Sequence, residues 1–380
     1  MTDRRVPTLP LSHTGVLGSS ILTDYPYLSP VQQSQNCTQF QKYKPAQQSA
    51  TASLPFQLKT QEGRGSPDAC YPDAPYLIWN SILLGFAVIL SSALYFKQKA
   101  LIYPSHVPGD ARTKVPKPSH YGIDNYEDLQ IPTPDGEKLS AFFIRAPNQA
   151  QAVPTTVLMF HGNAGNIGHR VPIAQMMAEL MGCSVFMLEY RGYGLSTGSP
   201  DERGLMIDAQ TALDYLMHRH ETKNNKIVVY GQSLGGAVSI QLVAKNQKSG
   251  KISGLILENT FLSMRKLIPS VIPPARYLAL LCHQIWPSET IIPTITEVPV
   301  LFLSGLKDEI VPPEHMRKLY ELCQSPTKTW KPIEEGDHNS SVMEPGYFHA
   351  IQTFMEGLEG QGDFSQMEKE RKSVQAERKA

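Results

Sequence analysis

The chain is short of cysteine: it has five, Cys37, Cys70, Cys183, Cys282 and Cys323, and no two form a C-x-x-C pair. That excludes a disulfide framework and a paired-cysteine zinc site, and leaves the thiols as small buried hydrophobes or plain surface groups. H-E-x-x-H and clustered Cys/His are also missing, so neither a metal nor a cofactor is expected. There is no excess charge of either sign, since 35 Lys and Arg balance 35 Asp and Glu. Nothing basic argues for nucleic acid, and nothing acidic for a solvated tail protein. Methionine is absent between Met1 and Met159, and charge is absent from Tyr76 to Phe96.

That uncharged stretch, "YLIWNSILLGFAVILSSALYF", has 21 positions. About 20 apolar residues cross a bilayer as a helix. Tyr76 and Trp79 stand at one end and Tyr95 at the other, with Lys97 and Lys99 just beyond. Aromatic and lysine flanks suit membrane interfaces. A soluble core helix would show a polar face, which this stretch lacks. A signal peptide would stand near the start, but 75 residues precede it, and no methionine nearby offers a later start. The expectation is a single-pass membrane anchor, in an endomembrane such as the endoplasmic reticulum or in the plasma membrane.

Composition divides the rest. Residues 1–75 are rich in Gln, Ser, Thr and Pro, without period and with few aliphatics. Such a segment buries too little apolar surface to offset chain entropy, so disorder is expected. Residues 97–122 hold Pro104, Pro108, Pro116 and Pro118 and read as an extended juxtamembrane linker. From 123 to 359 the pattern becomes regular, and a charged tail, 360–380, comes last. "DLQI" and "KLSAFFIRA" flank an Asp135-Gly136 turn and read as a hairpin. Six further strands, "TTVLMF", "SVFMLEY", "KIVVYG", "SGLILEN", "VPVLFLSG" and "KTWKPIE", alternate with helices. The helices are expected at 170–180, 201–218, 234–245, 313–323 and 347–358. In the second, Met206, Ala209, Leu213 and Leu216 recur at helical spacing. Continuous apolar strands alternating with amphipathic helices imply a mostly parallel sheet covered on both faces, an α/β fold.

The chemistry lies at "VVYGQSLGGA", where strand "KIVVY" gives way to a helix. G-x-S-x-G in that context is an elbow that lifts a serine from a strained turn to the carboxyl edge of the sheet. Gly231 and Gly235 remove side chains that would clash, and Gly236 lets the helix approach the sheet. Ser233 is the candidate nucleophile. A serine hydroxyl needs a base, and the base an acid to orient it. Of the histidines after Ser233, His338 sits in the polar loop "EEGDHNSS" past the last strand. His315 and His349 fall within expected helices, and His283 in an apolar segment. Asp308, following strand "VPVLFLSG", is the candidate acid, with Glu258 at the end of "LILEN" as its rival. Asp337 is expected to make a local turn bond. For the oxyanion, the backbone N–H of Leu234 and that of Asn163 in "HGNAGN" are the expected donors. His161 is expected to brace that loop.

The motifs "FHGNAGN", "EYRGYGLSTGSPDERG", "GQSLGGAV", "LENTF", "SGLKDEIVPP" and "GDHNS" together resemble the membrane-anchored α/β-hydrolase domain-containing serine hydrolases. The likeness is to the fungal bud-emergence (Bem) family and its animal relatives in particular, and runs from Leu101 to Leu358. It implies an α/β-hydrolase fold, with Ser233 as nucleophile, Asp308 as acid and His338 as base. An anchor just before "LIYPS" fits the family; the extension 1–75 departs from it.

Between "LENTF" and "VPVLFL", residues 262–288 are apolar with Arg265, Lys266, Arg276 and His283. In this fold such an insertion commonly forms a lid, and an apolar lid beside a membrane points to an acyl chain; plain helical packing is the alternative. The expected substrate is an acylated small molecule, lipid or protein, cleaved at an ester or, as the resemblance implies, a thioester, with protein S-depalmitoylation one form. A serine peptidase and a catalytically silent membrane scaffold are the other readings. Lys97, Lys99, Arg112, Lys114 and Lys117 come after the anchor, against Lys59 and Arg64 before it, which favours a cytosolic hydrolase. Asn339-Ser340-Ser341 is a glycosylation acceptor beside His338, and in a secretory lumen a glycan there would block the site. Against this, a 75-residue tail with its own acceptor, Asn36-Cys37-Thr38, would have to cross the membrane, so both orientations stay open.

Overall fold

The computed structural model describes residues 74–147, 154–272, 276–277 and 279–358. The expected disordered extension up to residue 73, the tail 360–380, and Cys37 and Cys70 lie outside them. The other three cysteines, Cys183, Cys282 and Cys323, are buried free thiols.

The first helix, α1, spans Ala74–Ile102, six residues past the uncharged stretch. It is long and apolar enough to cross a membrane. The contact pattern divides the chain within it, between Leu90 and Ser91. Up to Leu90 its large side chains, among them Trp79, Ile82, Leu84, Phe86 and Ile89, are exposed. From Ser91 onward the helix belongs to the unit that holds the sheet.

Residues 97–102, expected in the extended linker, continue α1, Pro104 stands just past its end, and the proline-rich segment beyond is no free spacer. Tyr103 is buried; its hydroxyl donates to Gln284 Oε1 at 2.9 Å and accepts from Trp286 Nε1 at 2.9 Å. Asn166 Nδ2 donates to the carbonyls of Ala111 and Lys114 at 2.9 Å, and Gly165 N–H to Val107 O at 2.8 Å. The prolines stop the helix, yet each carbonyl they leave exposed is still an acceptor, and the loop 163–166 uses several.

Eight strands make up the sheet: β1 Tyr126–Pro132, β2 Lys138–Ile144, β3 Thr155–Phe160, β4 Ser184–Leu188, β5 Lys226–Gln232, β6 Ile252–Glu258, β7 Val300–Gly305 and β8 Lys328–Ile333. Their order is β1-β2-β4-β3-β5-β6-β7-β8. β2 runs antiparallel to β1 and β4, and the pairs from β4 through β8 are parallel. β3 and β7 are buried along their whole length, whereas β8 at the edge is mostly half-buried. That is why the central strands read as unbroken apolar runs.

The helices are α2 Val171–Met181, α3 Glu202–His218, α4 Leu234–Asn246, α5 Met264–Val271, α6 Ser288–Ile291, α7 Pro313–Leu322 and, at 347–358, α8. One core cluster joins Leu205, Ala209, Leu213 and Leu216 of α3 with Val238 and Leu242 of α4 and Leu319 of α7. The other joins Val171, Ala174 and Met177 of α2 with Ile351, Phe354 and Leu358 of α8. Helices thus cover both faces of the sheet, which is the expected α/β-hydrolase architecture. The central strands deliver β5 and the start of α4 to the carboxyl edge, where open sheets hold their ligands.

Candidate active site

Ser233 stands between β5 and α4 with φ 53 and ψ −115. A non-glycine residue at positive φ is strained and persists only where the surroundings over-determine it. The neighbouring glycines explain how. A Cβ on Gly231 would lie 2.2 Å from Gly235 O, and one on Gly235 2.1 Å from Phe160 O. A Cβ on Gly236 would meet Thr260 Cβ at 2.5 Å. Backbone packs directly on backbone here, so α4 sits tight against β3 and the segment after β6. Thr260 Oγ1 donates to Ser233 O at 2.6 Å, and Ser233 N–H to Glu258 O at 2.9 Å, which fixes the turn from below. Leu234 is the first residue of α4, where N–H groups lack intrahelical acceptors.

His338 and Asp308 come together. His338 Nδ1 lies 2.8 Å from Asp308 Oδ2, and both residues are buried. Asp308 Oδ1 accepts the N–H of Ile310 at 2.9 Å and of Val311 at 2.7 Å. Asp337, one residue before the histidine, turns away: its Oδ1 accepts the N–H of Asn339 and Ser340 at 2.8 and 2.6 Å, a local turn.

The rival acid, Glu258, is engaged elsewhere. Its Oε2 accepts from the Tyr230 hydroxyl and, at 2.5 Å, from the Tyr347 hydroxyl, and burial pushes the carboxyl up. Its neighbour Asn259, at φ 45, has a role that the sequence does not announce. Nδ2 donates to the carbonyls of Asp337 (3.1 Å) and His338 (3.4 Å) and to Ser341 Oγ (3.2 Å). Oδ1 accepts Gly305 N–H at 2.8 Å. Asn259 therefore ties the end of β7 to the histidine loop. The motif "LENTF" contains it, but no spacing rule marks an asparagine as a clamp.

Asn163 lies in the loop after β3. Its side chain is committed at both ends: Nδ2 donates to Ile102 O at 2.5 Å, and Oδ1 accepts from the Tyr193 hydroxyl at 2.6 Å. His161 braces the same loop, with Nδ1 2.7 Å from Gly162 O and Nε2 3.1 Å from Glu189 Oε1, the latter contact off line for a hydrogen bond.

Ser233, Leu234, Asn163 and His338 all line one cavity of about 460 Å³. Its remaining wall is largely apolar: Met264, Leu267, Ile268, Val271 and Ile272 from α5 and its end, Leu281 and Cys282 beyond it, and Leu94, Leu101 and Ile102 from α1. Of the segment 262–288, α5 and the short 3-10 turn Ala279–Leu281 contribute to this wall. The part played by α1 was not legible in the sequence, where its apolar character was already accounted for by a membrane. Gln98, a polar residue of that helix, is buried and makes the join: Nε2 donates to Leu281 O at 3.2 Å, and Oε1 accepts His283 N–H at 2.8 Å.

Comparison with known proteins agrees with this architecture. The family model described as serine aminopeptidase, S33, matches residues 151–296. Protein bem46 of Schizosaccharomyces pombe is 45% identical over 72% of this chain and 90% of its own length. The uncharacterized membrane protein YNL320W of Saccharomyces cerevisiae is 43% identical over 72% of this chain and 94% of its own. Among solved structures, an α/β-hydrolase from Vibrio vulnificus superposes with a TM-score of 0.56 at 21% identity, over 68% of this chain and 91% of that one. At that identity the likeness speaks for the fold alone. With a relative as similar as bem46 aligned over nearly its whole length, on a sheet of this order, the chain belongs to the Bem46 family of α/β-hydrolases.

Proposed function

We propose that the protein is a membrane-anchored serine hydrolase that cleaves acyl esters or thioesters through an acyl-enzyme on Ser233. The observation that carries this reading is the shared cavity: Ser233 and His338 open onto a wall built mainly of Leu, Ile, Val and Met. A volume of about 460 Å³ falls in the range of roughly 300–1,000 Å³ usual for small-molecule sites.

In this mechanism Ser233 Oγ attacks the acyl carbonyl while His338 Nε2 takes its proton. Asp308 holds Nδ1–H, keeps the ring in one tautomer and stabilises the imidazolium. The backbone N–H groups of Leu234 and Asn163 receive the oxyanion. The imidazolium then protonates the leaving alcohol or thiol. A water molecule, deprotonated by the same imidazole, releases the acid and restores Ser233.

Two features favour an acyl chain over a peptide. The cavity wall is apolar, and one side of it is the end of a helix apolar enough to cross a bilayer. A palmitoyl thioester on a protein and a lipid ester both meet that description. The peptidase reading has the description of the matching family model in its favour. We place α1 as a single-pass anchor, with the basic flank Lys97, Lys99, Arg112, Lys114 and Lys117 on the cytosolic side. Asn339 is exposed and lines the cavity beside His338, so a glycan attached there in a secretory lumen would obstruct the site.

A p-nitrophenyl ester series of rising acyl length, set against aminoacyl and peptidyl p-nitroanilides, tests the reading. Each methylene accommodated contributes about 0.8 kcal/mol, or roughly fourfold in kcat/KM, until the cavity is filled. Turnover of the anilides with no gain along the ester series would establish the peptidase instead. No turnover of any substrate, with Ser233 unreactive in folded protein, would leave the silent scaffold.

A further inference from the structure

The wall of the Ser233 cavity holds one formal charge among its described residues, the guanidinium of Arg170. No Asp, Glu or Lys shares that wall. Arg170 stands at the junction between a 3-10 turn, Ile167–Arg170, and α2. Its Nε is shut off from solvent and has no hydrogen-bond partner. Among the described residues its guanidinium makes no hydrogen bond and no ion pair.

Arg170 is half-buried, and a cation partly withdrawn from water without a partner is costly. Other arginines of this chain show the contrast: Arg145, Arg191 and Arg219 each pair with carboxylates. The groups that act electrostatically on Arg170 are the Tyr230 hydroxyl and, after it, the Glu258 carboxyl. Glu258 is already bound by two tyrosine hydroxyls, and burial favours its neutral form, so it is a poor counter-charge. Burial accordingly holds the Arg170 pKa below its ordinary value. The cation lines the same cavity as Ser233, His338 and the apolar residues of α1 and α5.

We propose that Arg170 is a substrate-binding residue that pairs with an anionic oxygen group, a phosphate or a carboxylate, carried by the acyl substrate. This rests on the acyl-hydrolase reading and narrows it: the substrate is an anionic amphiphile, its chain against the apolar wall and its charge on Arg170. A guanidinium suits either group, since its planar fork offers two parallel donors.

The test uses full-length protein in detergent micelles and three substrates with one acyl group: an acylglycerol, the same acylglycerol 3-phosphate, and the same acyl group on glycerate. Wild type should prefer at least one anionic substrate to the neutral one in kcat/KM by on the order of 10- to 100-fold, the worth of a charged hydrogen bond. Arg170→Gln should collapse that ratio, chiefly through the KM of the anionic substrate, and Arg170→Lys should restore part of it. Preference for phosphate or for carboxylate identifies the group. A wild-type ratio near one overturns the proposal whether or not a variant folds. A ratio that survives in Arg170→Gln while all rates fall together also overturns it, and makes Arg170 a structural balance for Glu258. Failure of the hydrolase reading looks different: wild-type Ser233 would not label with a fluorophosphonate, and both proposals would fall.

Discussion

Asp308 divides its carboxylate between two tasks. Oδ2 meets His338 Nδ1 at 2.8 Å, while Oδ1 is held by the N–H groups of Ile310 and Val311. The backbone after β7 thereby orients the carboxylate, and the carboxylate orients the ring. In Asp308→Asn the amide oxygen keeps the two backbone donors, and its NH₂ then faces Nδ1 and imposes the wrong tautomer. Activity should fall by up to ~10⁴-fold with the fold intact. The check is kcat on a short p-nitrophenyl ester together with the melting temperature. Near-normal turnover in Asp308→Asn alongside a dead Glu258→Gln would transfer the role to Glu258.

Asn259 acts on His338 from a distance. It holds the carbonyls of Asp337 and His338 and the N–H of Gly305. Asn259→Ala leaves buried partners unsatisfied, at about 1–3 kcal/mol each. The expectation is a lower kcat with little change in KM, because the cavity wall is untouched, together with a lower melting temperature. A normal kcat in a destabilised variant would reduce Asn259 to a purely structural role.

Gln98 joins α1 to the segment Leu281–His283. Gln98→Leu removes both bonds while keeping bulk. If α1 is a wall of the acyl site, decanoate hydrolysis should fall several-fold more than acetate hydrolysis. Equal losses on the two esters would mean that α1 serves only as an anchor.

How much of this was readable in advance varies by element. The five strands β3 to β7 are recoverable because they are buried along nearly their whole length, which makes their sequences unbroken apolar runs. The elbow is recoverable because Gly231 and Gly235 have no room for a Cβ. What resisted reading joins distant parts of the chain. Gln98 meets residues more than 180 positions away, and Tyr103 pairs with Gln284 and Trp286. The uncharged stretch ends at Phe96, six residues short of the end of α1, and the prolines carry no sign that Tyr103 is a buried anchor. Arg170 was invisible for a related reason: an arginine's lack of a partner is a property of its surroundings.

Acid sensitivity should have a local contribution at the β1 edge. Bonds from Arg219 first, then Arg145, hold the Glu127 carboxyl at about 2, below its ordinary 4.5. A lowered folded-state pKa contributes stability that is present above 4.5 and lost as pH falls through about 2. The Glu127 side chain is about a third exposed, so the effect is screened and small. Melting temperatures of wild type and Glu127→Gln should differ at neutral pH and converge as pH falls across that window. A constant gap would show that the ion pairs contribute nothing pH-dependent.

The central claim is that Ser233 carries the acyl group. Folded protein is mixed with p-nitrophenyl decanoate, quenched in acid within the first turnovers, digested and read by mass spectrometry. The account predicts one added decanoyl group on the peptide containing Ser233, enriched when deacylation is slowed and absent in Ser233→Ala. An ester hydrolysed at full rate by Ser233→Ala, or an acyl group found on another residue, would contradict it.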